Sequence, residues 1–296
     1  MPKRSINSLR LEELAQHFAS HGEPAYRAKQ VADWLYKKRV DSFAAMTDLS
    51  AATRDHLAAE FSFLRPELVR VLGSKDTTCK FLFRLADGSL IESVLIPASP
   101  ALYGETSDRR TACVSTQVGC AYGCKFCASG LDGFTRNLTA SEIIDQLLAI
   151  ERESGEKIDN IVFMGMGEPL ANLTNLLHAI QIINAPWGLE IGARHITIST
   201  SGLAPQIRKL AIEPTQFRLA ISLHGASDEV RSQIMPVNCK YPLAILLDAC
   251  DAYVAQKKRL MFEYILIAGV NDSDEQAHLL ARHARRLSAK INLIPY

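Results

Sequence analysis

The sequence has no stretch that suits a lipid bilayer or the secretory pathway. Nowhere do its 296 residues approach the ~18 uncharged apolar residues that a membrane-spanning helix requires. The N-terminal segment MPKRSINSLRLEELAQHF is charged and lacks the apolar core of a secretory signal peptide. We therefore expect a cytoplasmic protein with no membrane attachment.

An excess of charge of either sign is also absent. Lys and Arg number 33 against 32 Asp and Glu, which gives a net charge of +1. This balance argues neither for nor against a polyanionic partner, because one basic face can exist on a neutral protein. Internal repeats and low-complexity tracts are missing too. The length allows one large core and a small extra domain.

Cysteine is not distributed as disulfides require. The chain has 7 cysteines, which is an odd number, and three of them crowd into residues 120–127. That distribution suits a metal site in a reducing compartment better than a secreted disulfide framework. The others are expected to be small buried hydrophobes or idle thiols; they are Cys79, Cys113, Cys239 and Cys250.

The spacing of apolar residues changes twice along the chain. Up to about Arg70 the spacing is three and four, which predicts helices in SLRLEELAQHFASHG, PAYRAKQVADWLYKKRV and LSAATRDHLAAEF. From Thr77 the period becomes two, and Asp87-Gly88 between two apolar runs predicts a β-hairpin. From Thr111 short apolar strands alternate with helical patterns, which is typical of a parallel sheet.

The last part of the chain predicts a run of βα units. We expect six strands there, in TACVST, NIVFMG, HITIST, RLAISL, MFEYILI and INLIPY. Capping boxes are predicted at Thr139 with Glu142 and at Ser273 with Gln276. The predicted fold is α/β, a partial TIM-type (βα)6 barrel preceded by a small helical domain and a β-hairpin. The predicted domains are residues 1–72 (helical), 73–108 (hairpin and linker) and 109–296 (barrel, ending after the sixth strand).

The segment CVSTQVGCAYGCKFCASG holds the residues best suited to chemistry. Cys120, Cys124 and Cys127 lie in a C-x3-C-x2-C spacing just after the first barrel strand, and no fourth Cys or His follows in the loop. Three thiolates fill three corners of a 4Fe-4S cubane, whereas structural zinc sites and simple electron carriers normally take four protein ligands. The open iron is then free for S-adenosylmethionine (SAM), whose amino and carboxylate groups can chelate it. A zinc clip completed by a distant Cys or His is the alternative.

The triad resembles the signature of the radical SAM enzymes. The segments ASGLDGFTRNLTASEI, FMGMGEPLAN, ITISTSGLAP, ISLHGASDEVRSQIMPVN and INLIPY further resemble the RlmN/Cfr group of RNA methyltransferases, as do PAYRAKQVADWLYKK and LIESVLIP. The resemblance implies methylation of adenine C2 in 23S rRNA and possibly in tRNA, with a 4Fe-4S cluster and two SAM molecules. One branch of the group methylates adenine C8, which the sequence does not exclude.

The resemblance also implies which residues bind SAM. Glycines after a strand let a ligand approach the backbone, and Gly167 with Glu168 would meet the SAM amino group. Side chains at later strand ends would meet the carboxylate and ribose, and an amide in the last strand would meet the adenine. These last positions are Ser199, Ser222, Leu223, His224 and Asn292. The alternative for the glycine segment is a plain strand-ending turn.

Two further residues would act in catalysis according to the resemblance. Glu92, in a hairpin strand, would accept a proton, although a strand carboxylate by itself is more often a solvated surface group. Cys113, on the first barrel strand, would resolve a covalent enzyme–RNA intermediate. The alternative for Cys113 is a buried core cysteine.

The resemblance implies an RNA substrate and an external electron donor such as flavodoxin or ferredoxin. Basic groups that would contact RNA phosphates are Lys37-Lys38-Arg39, Arg109-Arg110 and Arg136. Each of them also suits an ordinary solvated surface. The target adenine would have to be unstacked before its C2 could be reached.

The sequence departs from the RlmN/Cfr group at its end. It stops at Tyr296, where members of the group continue with a helix and a tail whose cysteine carries the methyl group, and neither Cys239 nor Cys250 lies in a matching context. A second hypothesis is therefore a truncated radical SAM protein that cleaves SAM but cannot complete RNA methylation. A third is an RNA-binding module with a structural cysteine loop. We also expect the last strand to expose apolar surface, with lowered stability or a compensating partner.

Overall fold

The computed structural model describes residues 3–73, 77–98, 108–214, 216–256 and 258–296. The chain divides into two compact units. The first comprises Met1–Arg110, Thr139–Asp159 and Thr174–Gly192, and the second comprises Thr111–Leu138, Asn160–Leu173 and Ala193–Tyr296. The predicted linker after the hairpin falls largely on residues 99–107, outside the described residues. The domain boundaries at residues 72 and 108 stay predictions.

The helices of the first unit are α1 (Leu11–Ser20), α2 (Arg27–Ala32), α3 (Ala51–Glu60), α4 (Ala140–Ser154) and α5 (Leu173–Asn184). The first three lie in the segments where the three- and four-residue apolar spacing predicted helix. A π-helical turn, Asp33–Lys37, continues α2. The apolar faces of the first three helices are buried, with Leu14, Phe18 and Leu57 inaccessible to solvent, so burial of these faces stabilises the helices.

Strands in the first unit confirm the predicted hairpin and correct one prediction. They are β1 (Arg4–Ser5), β2 (Phe61–Ser62), β3 (Glu67–Gly73), β4 (Cys79–Arg84) and β5 (Leu90–Pro97). Strands β4 and β5 pair antiparallel, and Gly88 turns between them with a φ of 84°. The prediction of helix up to Arg70 was wrong, since β3 begins at Glu67 and pairs with β4. Its β-branched Val69 and Val71 favour this extended ladder.

The second unit contains the predicted run of parallel strands. Its strands are β6 (Arg110–Cys113), β7 (Gln117–Gly119), β8 (Phe134–Asn137), β9 (Asn160–Phe163), β10 (Ile196–Thr200), β11 (Arg218–Ser222), β12 (Leu260–Leu266) and β13 (Lys290–Pro295). Strands β6, β9, β10, β11, β12 and β13 are neighbours in that order and pair parallel. This arrangement confirms the six predicted strands. Every residue of β10 is buried, as expected where helices cover both faces of a parallel sheet.

Helices of the second unit follow these strands. They are α6 (Ala204–Ala211), α7 (Asp228–Ile234), α8 (Val237–Lys240), α9 (Leu243–Val254) and α10 (Asp274–Leu287). The Ser273 hydroxyl caps α10 by accepting from Gln276 N. The predicted capping box is nevertheless incomplete, because Gln276 Oε1 instead accepts a hydrogen bond from Ala226 N at 2.8 Å. The box of Thr139 and Glu142 at the start of α4 is confirmed.

The parallel order places the carboxyl ends of all six strands at one edge of the sheet. The segments after β6, β9, β10 and β11 therefore meet there, as active-site loops do in barrels of this type. The outermost strand after β12, β13, is exposed along its whole length, and an exposed last strand was expected from the sequence. The consequence for stability stays a prediction. No helix among the residues described here is long and apolar enough to cross a membrane.

Candidate active site at the carboxyl edge of the parallel sheet

The cysteine loop, residues 120–127, lies between the two strands of a short antiparallel ribbon. Strands β7 and β8 form this ribbon, and Cys120 N donates to Gly133 O at 2.9 Å across its end. Gly119 has a φ of 70°, and a Cβ there would lie 1.9 Å from Gly133 O. Because no side chain fits at that distance, glycine at position 119 lets the ribbon close beneath the loop.

The three thiols of the loop lie within electrostatic reach of one another. Cys120 and Cys124 are half-buried, and Cys127 is exposed. Burial, together with the neighbouring Cys127 and Cys120, raises the pKa of Cys124 to about 12. Thiols with raised pKa values stay protonated at neutral pH unless a cation stabilises the thiolate. A bound metal does so, because it deprotonates its thiol ligands. The donor set therefore fits an iron–sulfur cluster held by three sulfurs.

Glu168 joins the ends of two strands beside this loop. The carboxylate is buried, and its Oε2 accepts from both Ser201 N and Ser201 Oγ at 2.7 Å. Its Oε1 accepts from Leu170 N at 3.0 Å. Burial raises the pKa of Glu168, and the hydrogen bonds from Ser201 oppose that rise. Glu168 also raises the pKa of Cys120, so the predicted SAM contact and the cysteine loop share one site.

The glycines of the GMGEP segment are required by close packing of the protein on itself. Gly167 has a φ of 95°, and a Cβ there would lie 2.4 Å from Gln117 Cβ. A Cβ at Gly165 would lie 2.7 Å from Ser115 Oγ. The glycines thus let the segment after β9 pack against the segment after β6. Contact between Gly167 and SAM stays a prediction.

The predicted residues on β10 and β11 lie at the same edge. Ser199 is buried in β10, Ser222 ends β11 half-buried, and Leu223 is fully buried. His224 has a φ of 54°, and its Nδ1 accepts from Ile265 N at 3.0 Å. Burial, with a smaller contribution from Arg231, lowers the pKa of His224 to about 3, so the imidazole is neutral.

The imidazole of His224 also contacts the cysteine loop. The Phe126 ring packs edge-on against it at a centroid separation of 4.6 Å. His224 therefore fixes the loop relative to the end of β12, in addition to any contact with SAM. That contact stays a prediction.

Arg231, which the sequence analysis did not single out, joins the segments after β10 and β11 to helix α8. Its side chain is fully buried and donates to Ser201 O at 2.5 Å, Leu223 O at 3.0 Å and Asn238 Oδ1 at 2.7 Å. Its positive charge lowers the pKa of Cys124, so it lies near the cysteine loop. The backbone of Gly225 packs closely against it, since a Cβ there would lie 2.6 Å from Arg231 N.

Asn292 has a buried partner that the sequence analysis also missed. Its Nδ2 donates to Glu263 Oε2 at 2.6 Å, and the two residues are register partners on β13 and β12. Burial raises the pKa of Glu263, while the Asn292 hydrogen bond lowers it. The amide of Asn292 is thus oriented by Glu263, and its contact with adenine stays a prediction.

The two predicted catalytic residues belong to different units. Glu92 lies on β5 of the first unit, half-exposed, with Lys80 Nζ 2.8 Å from its Oε1. Cys113 ends β6, the first barrel strand in the second unit, and burial raises the pKa of its thiol to about 11. Their catalytic roles stay predictions.

Most of the basic groups expected to face RNA already have protein partners. Lys37 pairs with Asp33 at 3.0 Å, Arg39 with Glu151 at 2.6 Å and Arg110 with Glu156 at 3.0 Å. These ion pairs reduce the positive charge that the side chains can offer to phosphate, so they weaken the sequence-based choice of RNA contacts.

Two parts of the chain match known protein families. Residues 5–62 match the ribosomal RNA large subunit methyltransferase N-terminal domain, and residues 114–281 match the radical SAM superfamily. The probable dual-specificity RNA methyltransferase RlmN of Akkermansia muciniphila is 55% identical over 286 residues, which cover 96% of this chain and 80% of that protein. The dual-specificity RNA methyltransferase RlmN of Geotalea uraniireducens is 45% identical, with 100% of this chain and 83% of that protein covered.

A solved structure gives the same result for the fold. The crystal structure of a radical SAM methyltransferase from Sphaerobacter thermophilus superimposes with a TM-score of 0.90 at 44% identity. The match covers 98% of this chain and 84% of that one. The predicted radical SAM core is therefore confirmed.

Proposed function

This chain belongs to the RlmN family of radical SAM RNA methyltransferases, and from that premise we propose that it methylates adenine C2 in 23S rRNA and in tRNA. The family uses a 4Fe-4S cluster and SAM. Dual specificity for RNA is part of the relatives' names, and it supports two RNA substrates here. The observation that carries the proposal is the loop of three cysteines, which lies beside Glu168 at the carboxyl edge of the sheet.

The residues of this edge have separate proposed tasks. Cys120, Cys124 and Cys127 hold the cluster, which when bound supplies the electron for reductive cleavage of SAM. Gly167 and Glu168 receive the SAM amino group. The remaining SAM contacts are Ser199, Ser222, Leu223, His224 and Asn292. Buried Arg231 supports this arrangement, because it holds the carbonyl groups that follow β10 and β11.

Two residues are proposed to act on the RNA. Glu92, whose Oε1 lies 2.8 Å from Lys80 Nζ, accepts the proton that leaves the adenine. Cys113 resolves the covalent enzyme–RNA intermediate as a thiolate. Because burial raises the pKa of Cys113 to about 11, this thiol has to lose its proton to a base within the complex.

We further propose a cytoplasmic reaction that draws electrons from flavodoxin or ferredoxin. Three cysteine ligands with free thiols require a reducing compartment, and the proposed RNA substrates are made in the cytoplasm. The RNA-binding surface is expected to include the basic groups of Lys37-Lys38-Arg39, Arg109-Arg110 and Arg136.

Mass spectrometry of digested RNA tests the proposed function. Unmodified rRNA and tRNA transcripts are incubated with anaerobically reconstituted protein, SAM and a reductant, and we expect 2-methyladenosine. Cys124→Ala should abolish the product, whereas Cys239→Ser, at an exposed cysteine, should retain it. Release of 5'-deoxyadenosine without 2-methyladenosine would favour the truncated enzyme that cleaves SAM alone. Formation of 8-methyladenosine would assign the other branch of the group.

A further inference from the structure

Three histidines converge in the N-terminal helical part, away from the cysteine loop in sequence. The histidine cluster consists of His17, His21 and His56, and one ring nitrogen of each lies within 4.8 Å of the others. His17 lies in α1 and His21 directly follows that helix, while His56 and Glu60 lie on α3. Each pair is separated by four residues, the spacing that places two side chains on one helix face. Metal-binding helices use the same spacing.

Glu60 lies among the three histidines. Its carboxylate oxygens are 3.6 Å from His17 Nδ1, 3.6 Å from His21 Nε2 and 3.5 Å from His56 Nε2. These separations are longer than good hydrogen bonds, so the carboxylate does not form direct hydrogen bonds with the ring nitrogens. His56 Nε2, which faces Glu60, is buried and has no hydrogen-bond partner. Buried unpaired nitrogens are rare and call for an explanation, such as an ion.

The hydrogen bonds of His21 prepare one ring nitrogen for a metal. His21 Nδ1 lies 2.8 Å from His17 O, and since a carbonyl oxygen can only accept, Nδ1 carries the proton. The lone pair of His21 is therefore on Nε2, which faces Glu60. Metal-binding histidines are commonly oriented in this way, through a bond from the other ring nitrogen to a carbonyl.

We propose that His17, His21, His56 and Glu60 bind a divalent transition-metal ion, with Zn²⁺ as the fitting ion. Three imidazoles and a carboxylate form a ligand set that zinc accepts in tetrahedral geometry. At Zn–N distances of about 2.0 Å, tetrahedral ligand atoms lie ~3.3 Å apart. His21 Nε2 and His56 Nε2 are already 3.6 Å and 3.5 Å from Glu60 Oε1, so small side-chain rotations complete the site.

The proposed site is structural in character. Four protein ligands leave no open position for a substrate, and closed sites of this kind stabilise folds. The metal would join the end of α1 to α3. This proposal does not depend on the proposed methylation, because none of its four residues belongs to the cysteine loop or to the SAM contacts.

Zinc titration of the full chain tests the proposal. The 4Fe-4S cluster is assembled first, so that iron occupies the cysteine thiols, and zinc is then titrated in competition with a chromophoric chelator. We expect one Zn²⁺ per chain in addition to the cluster. His21→Gln and His56→Gln should each weaken zinc binding by at least ~10-fold, the lower end for altered metal surroundings. His178→Gln should leave it unchanged, since His178 also has a buried unpartnered Nε2 but lies outside the histidine cluster.

Two outcomes would overturn the proposal. One is the absence of a bound zinc beyond the cluster, and the other is zinc binding that both glutamine variants leave intact. Both histidines are partly exposed, with 39% and 31% of their side chains accessible, so the variants should fold, which circular dichroism checks. Cobalt substitution provides a second measurement. We expect tetrahedral d–d bands without thiolate charge-transfer bands, whereas thiolate bands would assign the metal to cysteine and contradict the site.

Discussion

Replacement of Arg231 by methionine should destabilise the second unit substantially. Methionine keeps an unbranched side chain but removes the three hydrogen bonds of the guanidinium to Ser201 O, Leu223 O and Asn238 Oδ1. Hydrogen bonds from a charged group contribute ~1.5–3 kcal/mol each, and buried acceptors left without a partner add a cost. The loss before any compensation is therefore on the order of 5 kcal/mol.

Part of that loss is offset, because burying the charge is itself unfavourable. Burial lowers the pKa of Arg231 to about 10, and methionine removes this desolvation cost. The pKa still lies well above neutrality, so the guanidinium stays charged and its three hydrogen bonds remain those of a charged donor. We expect a net loss of about 2–4 kcal/mol in the free energy of unfolding.

Urea unfolding of the apoprotein measures this loss. Arg231→Lys should be intermediate, since one ammonium keeps the charge but cannot reproduce the fork of the guanidinium. Arg208→Met is the matched control, because Arg208 forms an exposed ion pair with Asp248, and it should change stability by no more than ~1 kcal/mol. An Arg231→Met variant as stable as the Arg208→Met control would refute the reasoning.

Three further substitutions have definite expected outcomes. Gly119→Ala should prevent cluster assembly, because its Cβ would lie 1.9 Å from Gly133 O. Gly133→Ala is the control, since Gly133 has a similar positive φ of 72° but no atom within 4 Å of its Cβ, and it should retain more of the iron; equal iron contents would contradict the ribbon closure. Glu168→Gln should weaken SAM binding by at least ~10-fold, by analogy with losing one charge-assisted hydrogen bond, and calorimetry showing unchanged affinity would contradict its role. Burial raises the pKa of Asp145 from 3.8 to about 8, so the folded state holds a proton that the unfolded state has lost, and stability should fall as pH rises between these values, by up to about 1.4 kcal/mol per pH unit. Asp145→Asn should flatten this dependence in urea unfolding between pH 5 and pH 8, and parallel curves for both proteins would contradict it.

The sequence predicted those elements whose signal is local. Short apolar runs identified parallel strands such as β9, where Ile161, Val162 and Phe163 follow one another in a largely buried strand. Asp87-Gly88 identified the hairpin because its turn requires a positive φ. The cysteine loop was recognised from its spacing alone. Each of these signals lies within a few residues of the structure that it predicts.

The sequence could not predict structure that depends on distant partners. Strand β3 was missed because its pairing depends on β4, later in the chain, through partners such as Val71 and Phe81, and short apolar runs suit helix and strand alike. Arg231 looks like a surface charge on a helix, and only the carbonyls of Ser201 and Leu223 make its burial possible. Gln276 was assigned to a local cap, yet its side chain accepts from Ala226, 50 residues away.

The most direct test of the radical SAM assignment is electron paramagnetic resonance of the reduced, anaerobically reconstituted protein, recorded with and without SAM. We expect a 4Fe-4S signal that changes when SAM is added, and we expect it to disappear when Cys120, Cys124 and Cys127 are replaced by alanine. A zinc ion with four protein ligands in place of the cluster, or an iron–sulfur signal that SAM leaves unchanged, would contradict the assignment.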